Sequence, residues 1–430
     1  MLHIAIPLAM AELGWMAMGV VDILVVGRLP ESAVAIGAAS LGNAVFFSFA
    51  IFGIGLMSGL DTLVSQAFGA GDRAGARQSL VAGMGLAVIA APLLALCILG
   101  SGPLLAALGV TLEVRTQTVG YTGVLVWSLP PLLFYTVFRR YLQGIHFVRP
   151  VTFALVTANL VNLLGNWLFV FGHWGLPAMG LRGSGLSTVL ARLYLAGCLL
   201  AAVRWRDPAA FRGVGRPDFT RIKGLFHLGL PAAITFGLEV GVFNAVTALA
   251  GTLDTVSLAA HTVALNAASV TYMVPLGISS AAAVSVGRAV GARDRRGAER
   301  AGWIAIGLAA VFELASSVCF LLLPRPIARA FTHDEQVVSL AVTLLAVAAV
   351  FQLCDGLHEV ATGALRGLGN TRTPMIWNLV GYWVIGLPLG YWLCFVRRWG
   401  AVGLWDGLCA GLLLIGLGLT VQWRVSSRHT

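Results

Sequence analysis

Apolar stretches of about 18 residues or more follow one another along this chain, broken by short polar segments rich in Gly, Arg and Asp. Each is long enough to cross about 30 Å of hydrocarbon as a helix. None shows the strict two-residue alternation of a membrane β-strand, which argues against a barrel. The pattern predicts twelve spans, at 3–27, 34–60, 79–101, 117–138, 150–171, 183–203, 226–250, 259–285, 300–324, 336–364, 374–396 and 402–424. The first is too long and undivided for a cleavable signal peptide.

The chain also repeats itself. DTLVSQAFGAGDRAGARQ at 61–78 returns as AAAVSVGRAVGARDRRGAER at 281–300. Pro7 answers to Pro231, LQG at 142–144 to LRG at 365–367, and Pro150 to Pro374. Such duplication is a common way to build a transporter. The expected fold is an all-α integral membrane protein of twelve helices, made of two parallel six-helix repeats. An amino-terminal lobe (1–203) and a carboxyl-terminal lobe (226–430) are expected on either side of a cytoplasmic linker (204–225).

Charge refines this picture. Of the 430 residues, 58% are hydrophobic and 11% charged, yet the net charge is +10. Twenty of the 28 basic residues fall in the even-numbered connections and the tail, among them Arg73, Arg77, Arg139, Arg140, Arg206, Arg212 and Arg216. Excess Arg in short loops marks the cytoplasmic side, so both termini are expected there. Basic residues beside spans read as topology signals and anionic-lipid contacts, not as a nucleic-acid footprint. All six cysteines lie in apolar segments, which indicates neither a disulfide framework nor a CxxC metal site. GxxxxGK[ST] does not occur, so uphill work would draw on an ion gradient, and no nucleophile–base spacing suggests an enzyme.

Seven acids sit within or at the edges of apolar spans: Glu12, Asp22, Glu239, Glu313, Asp355, Glu359 and Asp406. A carboxylate at the centre of a membrane helix costs about 2.5–3.5 kcal/mol even on lenient scales, so each needs a partner, a proton, a cation or water. Asp22 reads either as an interfacial acid beside Arg28 or as a cation-linked site. Asn162 and Asn166, four apart in the fifth span, share a face that could serve it; interhelical packing is their plainer role. Glu239, with Asn244 nearby, and Asp355 have no basic residue in their own segments, and two such acids in one half suggest a shared cavity. Glu359 follows Asp355 by one turn beside His358, as a relay or an interfacial acid. Glu313 and Asp406 read as anchors or packing groups. The projected counterparts of Asp22, Glu239 and the asparagines are apolar, so the scaffold is duplicated and its polar centres are not. Pro7 and Pro231 fall inside helices, where proline favours a kink.

Five segments in order, VVDILVVGRL (20–29), FGAGDRAGAR (68–77), NLLGNWLFVFG (162–172), LPAAITFGLEV (230–240) and FQLCDGLHEVATGALRGLGNTRTP (351–374), give the chain its resemblance to the multidrug and toxic compound extrusion family, in its NorM-like bacterial branch. That resemblance implies a V-shaped, two-lobed transporter of the bacterial cytoplasmic membrane, acting as a monomer. It implies export of amphipathic, mostly cationic compounds in exchange for H⁺ or Na⁺, without a cofactor. Asp22 falls on the family's proton-linked aspartate of the first helix, and Glu239 with Asp355 on the acidic pair of its cation site, the ligands of Na⁺ if Na⁺ is the ion. Two departures stand out: Asn166 replaces an aspartate of some relatives, and Phe351 replaces a tyrosine. Trp15, Phe46, Phe49, Phe243, Asn244, Tyr272 and Phe351 are candidate walls of a substrate cavity, with packing or lipid contact as the alternative for each. A lipid-linked precursor flippase or a dedicated metabolite exporter on the same scaffold remains the rival reading. A flippase for a phosphate-bearing substrate would favour a cationic cavity, where this chain offers acids.

Overall fold

The computed structural model describes all residues except 1, 30–31, 108, 212–217 and 429–430. Arg212 and Arg216 therefore lie outside the described residues, as does much of the expected linker. Among the described residues, twelve helices are long and apolar enough to cross a membrane: α1 (Leu2–Val26), α2 (Val34–Gly69), α3 (Arg73–Leu99), α4 (Leu112–Gly144), α5 (Arg149–Phe171), α6 (Leu181–Arg206), α7 (Phe219–Gly251), α8 (Thr255–Gly291), α9 (Arg295–Leu322), α10 (Glu335–Gly367), α11 (Arg372–Val396) and α12 (Ala401–Ser426). A helix pairs most of its backbone groups within itself, which is what hydrocarbon requires of a spanning segment. No strand occurs among the described residues.

The repeated turns now have a physical reading. Asp72 and Asp294 cap α3 and α9, accepting from the backbone N–H of Gly75 and Gly297 at 2.7 and 2.9 Å. A Cβ on either glycine would fall on the capping carboxylate, so the string Asp-Arg-x-Gly stops one helix and starts the next in both halves. Proline marks the irregular helices. Pro7, Pro231 and Pro275 lie within α1, α7 and α8, and Pro92 lies within α3. A 3₁₀ turn at Val126–Ser128 precedes Pro130 in α4, while α11 carries π-helical stretches at Leu379–Gly386 and Trp392–Val396 on either side of Pro388.

The chain forms two compact units, and their boundaries fall inside helices. One unit runs from Met10 to Ala233; the other runs from Ile234 onward and includes α1 as far as Ala9. Both divisions lie two residues beyond a repeat-related proline, Pro7 or Pro231, and not in the 204–225 linker. Close packing at glycine supplies the reason. A Cβ at Gly229 would collide with the carbonyl of Leu56, holding the start of α7 to α2, and one at Gly277 would collide with Ala9, holding the start of α1 to α8.

In the first unit, α4, α5 and α6 form the centre, with Leu129, Leu133, Leu155, Leu195 and Leu199 fully buried. In the second, α10 is the central helix, packed by α8, α9 and α12. Several helices outrun their expected ends. Because α4 continues to Gly144 instead of stopping at 138, Arg139 and Arg140 remain on it and turn inward. They are not loop residues: Arg139 pairs with Glu12 of α1, and Arg140 with Asp61 of α2 at 2.9 Å. Arg366 is likewise buried near the end of α10.

Candidate functional site

Each unit buries carboxyl groups that no arginine pairs directly: Asp22 in the first, apart from the paired Glu12 and Asp61, and a group of acids in the second. In the first, Asp22 comes from the last two turns of α1 and is buried against α5 and α6. Asn166 donates to Asp22 Oδ1 at 2.7 Å and to the side-chain and backbone oxygens of Asn162 at 3.2 and 3.1 Å. Thr188 of α6 donates to Asp22 Oδ2 at 3.1 Å. Ser187 donates to the Asn162 carbonyl at 2.6 Å, fixing α5 against α6. The spacing of the asparagines thus places both at one carboxylate. Asn159, by contrast, packs α5 on α1 through the Gly14 carbonyl at 2.9 Å.

One turn beyond Thr188 on α6, Arg192 is buried with its guanidinium 4.6 Å from the Phe46 ring and donating to Ser128 Oγ at 2.5 Å. Arg192 stands on the same helix as Thr188, the Asp22 donor, four residues further on. Ser184, Thr188 and Arg192 recur every fourth residue of α6, a polar stripe that was visible in the sequence and pointed at this site.

The second cluster draws on α7, α8, α10 and α11. Glu239, Asp355, His358 and Glu359 are all buried. Tyr272 of α8 links two of the acids: its Oη lies 3.0 Å from Glu239 Oε1 and 3.0 Å from Glu359 Oε2. His358 Nδ1 stands 3.8 Å from Asp355 Oδ1, beyond hydrogen-bond length. On its other side, Asn378 Nδ2 approaches His358 Nε2 at 3.1 Å, and Tyr382 edges the imidazole at 6.2 Å. The structure therefore brings Glu239, Asp355 and Glu359 into one buried cluster of the same unit. Glu359 is inside it, not at an interface. Asn378, Tyr382 and the bridging role of Tyr272 are not legible from spacing, because they come from other helices. Glu313 of α9 is also buried, its Cγ packed against Gly356 of α10, and Oε2 has no hydrogen-bond partner.

The aromatic candidates divide. Trp15 is half-buried and stacks on Tyr135 at 5.9 Å; Phe49, Phe243 and Tyr272 are also half-buried, and Asn244 is exposed. Phe46 and Phe351 differ from expectation: they lie in the packed interior of their own units, Phe351 edge-on to Phe243 and Trp405 at 6.1 and 5.6 Å, and present no wall. Among the described residues, no three His, Cys, Asp or Glu side chains converge as a metal site, so oxygen ligation of Na⁺ here would have to use Tyr272 or water with the acids.

The MatE family model matches residues 7–168 and again 231–392, one match per half. A probable multidrug resistance protein NorM of Mesorhizobium japonicum is 35% identical, with 98% of this chain and 92% of that protein covered. A multidrug resistance protein NorM of Burkholderia vietnamiensis is 36% identical over the same shares of each. Among solved structures, the eukaryotic MATE transporter AtDTX14 superimposes with a TM-score of 0.89 at 21% identity, covering 100% of this chain and 96% of that one. An outward-facing multidrug resistance MATE family transporter gives 0.88 at 20% identity, covering 100% and 95%. At these identities the structural likeness speaks for the fold.

Proposed function

Because the chain belongs to the MatE family of membrane transporters, we propose that it is a secondary antiporter that exports amphipathic, mostly cationic organic compounds in exchange for an inward-moving cation. The observation that carries this reading is the shared hydroxyl of the second unit. Tyr272 has a single O–H, yet lies 3.0 Å from both Glu239 and Glu359. If both contacts are hydrogen bonds, Tyr272 donates to one carboxylate and the other carboxyl donates to Tyr272 Oη. One of the two acids then carries a proton. A buried site that holds one proton between two acids can exchange it, which is what coupling requires. H⁺ is accordingly the favoured ion, and Na⁺ held by the same oxygens is the alternative.

In this reading the acids also hold the organic cation. Entry of H⁺ neutralises a carboxylate and weakens that hold, so substrate leaves on the outer side. Coupling arises because the protein's two access states bind proton and substrate with different affinity. Each unit charge moved across 100 mV contributes about 2.3 kcal/mol, so one or two suffice for substantial uphill export. Asp22, held by Asn166 and Thr188 near Arg192, is a second cation-linked acid in a different electrostatic setting. The duplicated scaffold thus offers two unlike ionic sites. Residence in a bacterial cytoplasmic membrane with both termini inside, and function as a monomer, complete the proposal.

Proteoliposomes with separately imposed ΔpH and ΔpNa test it. ΔpH-driven drug efflux is expected from the native protein, and Glu239→Gln, Asp355→Asn and Asp22→Asn should each reduce it by at least about tenfold. Undiminished efflux in all three would defeat the carboxylate mechanism, and efflux under ΔpNa alone would assign Na⁺.

A further inference from the structure

Four helix ends of the first unit converge on a cleft lined by Phe68, Arg73, Arg77, Tyr141, Arg206 and Asp207. Among the described residues, the one acid lining it, Asp207, is already taken. Arg77 donates to both oxygens of Asp207 at 2.8 and 2.7 Å, and Tyr141 Oη donates to Asp207 Oδ2 at 2.9 Å. Burial alone would push the Asp207 carboxyl up, but these hydrogen bonds outweigh it and hold the group below its ordinary value, as a carboxylate. That arrangement consumes the charge of Arg77 and leaves two guanidinium groups over. Among the described residues, Arg73 and Arg206 pair with no carboxylate, and both are exposed.

The rim of the cleft is aromatic. Arg206 lies 5.8 Å over the Phe147 ring, and Phe147 packs 5.7 Å from Trp205, which is 76% exposed. An exposed Trp at the end of a membrane helix is suited to the headgroup level of a bilayer. Two forked cations beside it match the bidentate geometry of phosphate oxygens. We propose that this cleft binds the phosphate of an anionic membrane phospholipid, with Arg73 and Arg206 on the phosphate oxygens and Trp205 and Phe147 against the glycerol and first acyl carbons. The Arg77–Asp207–Tyr141 triad forms the floor, tying the end of α6 to the start of α3 and the end of α4.

The full-length protein, purified into phosphatidylglycerol or phosphatidylcholine bilayers and released in native mass spectrometry, tests this directly. The native protein should retain phosphatidylglycerol over phosphatidylcholine, and Arg73→Gln/Arg206→Gln should lose that preference by about tenfold or more. Arg295→Gln/Arg296→Gln removes the same charge from the repeat-related turn and should leave it intact. Equal retention by the first double variant, or equal loss in both, would overturn the site in favour of none or of general surface attraction. A second arm offers millimolar glycerol phosphate to detergent-solubilised protein. Stabilisation equal to that from phosphatidylglycerol would overturn the lipid assignment in favour of a soluble phosphate ester. Both substituted positions are exposed, so unchanged thermal stability in phosphatidylcholine is the expected control. Lipid retention is read without transport and stands or falls apart from the exchange mechanism.

Discussion

At the scale of single residues, this chain concentrates ionisable groups where hydrocarbon makes them costly, and the company each keeps separates structure from chemistry. Glu12 and Asp61 have arginine partners at once; Asp22 has amides and a hydroxyl; Glu239 and Glu359 have one tyrosine between them. Tyr272→Phe keeps the ring and removes the shared hydroxyl. ΔpH-driven efflux should fall by about tenfold or more, the kinetic equivalent of one hydrogen bond to a charged group, and folding stability should fall by about 1–3 kcal/mol as the buried acids lose that partner. Efflux equal to the native rate would mean that the bridge has no part in coupling. Asp355 and Glu239 were separable in the sequence as acids without local cations. Their common cluster was not, because α7, α8, α10 and α11 meet only in the folded unit.

At the scale of elements, two ion pairs predict opposite kinds of behaviour. The Glu12–Arg139 pair joins α1 to α4 in a buried setting. Removing one member strands the other charge, so Arg139→Met should destabilise by about 3–5 kcal/mol, whereas Glu12→Leu/Arg139→Met should recover most of the loss. Detergent thermal unfolding of the three proteins decides this; a double variant no better than the single one would show that the pair is needed as a pair. Asp207 and Arg77 join α6 to α3 near water. Since folding holds the Asp207 carboxyl below its ordinary 3.8, the stabilisation is complete above that value and disappears as pH falls through the lower folded value. The stability difference between the native protein and Asp207→Asn should therefore be flat from pH 7 to 5 and shrink below about 4. A difference that persisted unchanged at pH 2 would contradict the assignment.

At the scale of the whole molecule, the excess of arginine at one set of helix ends implies sidedness. After Arg139, Arg140 and Arg366 are reassigned to the interior, the remaining ones still outnumber the seven at the opposite ends. A cysteine replacing Arg428 should react with impermeant maleimide only from the cytoplasmic side, and one replacing the 84%-exposed Trp174 only from outside. Reversed labelling would invert the topology. Twelve spans, the duplication and the family were legible in the chain itself, because hydropathy acts over windows of twenty residues and a repeat needs only self-comparison. Even the turn strings carried their meaning locally, as Asp caps followed by a glycine. The inward turn of Arg139 depended on α4 running two turns past its expected end. The joining of Glu239 to Glu359 through Tyr272 depended on residues 33 and 87 positions apart meeting across helices. Local pattern decides what enters the membrane; only packing decides which polar groups face each other once inside, because in hydrocarbon each must find a partner on another helix.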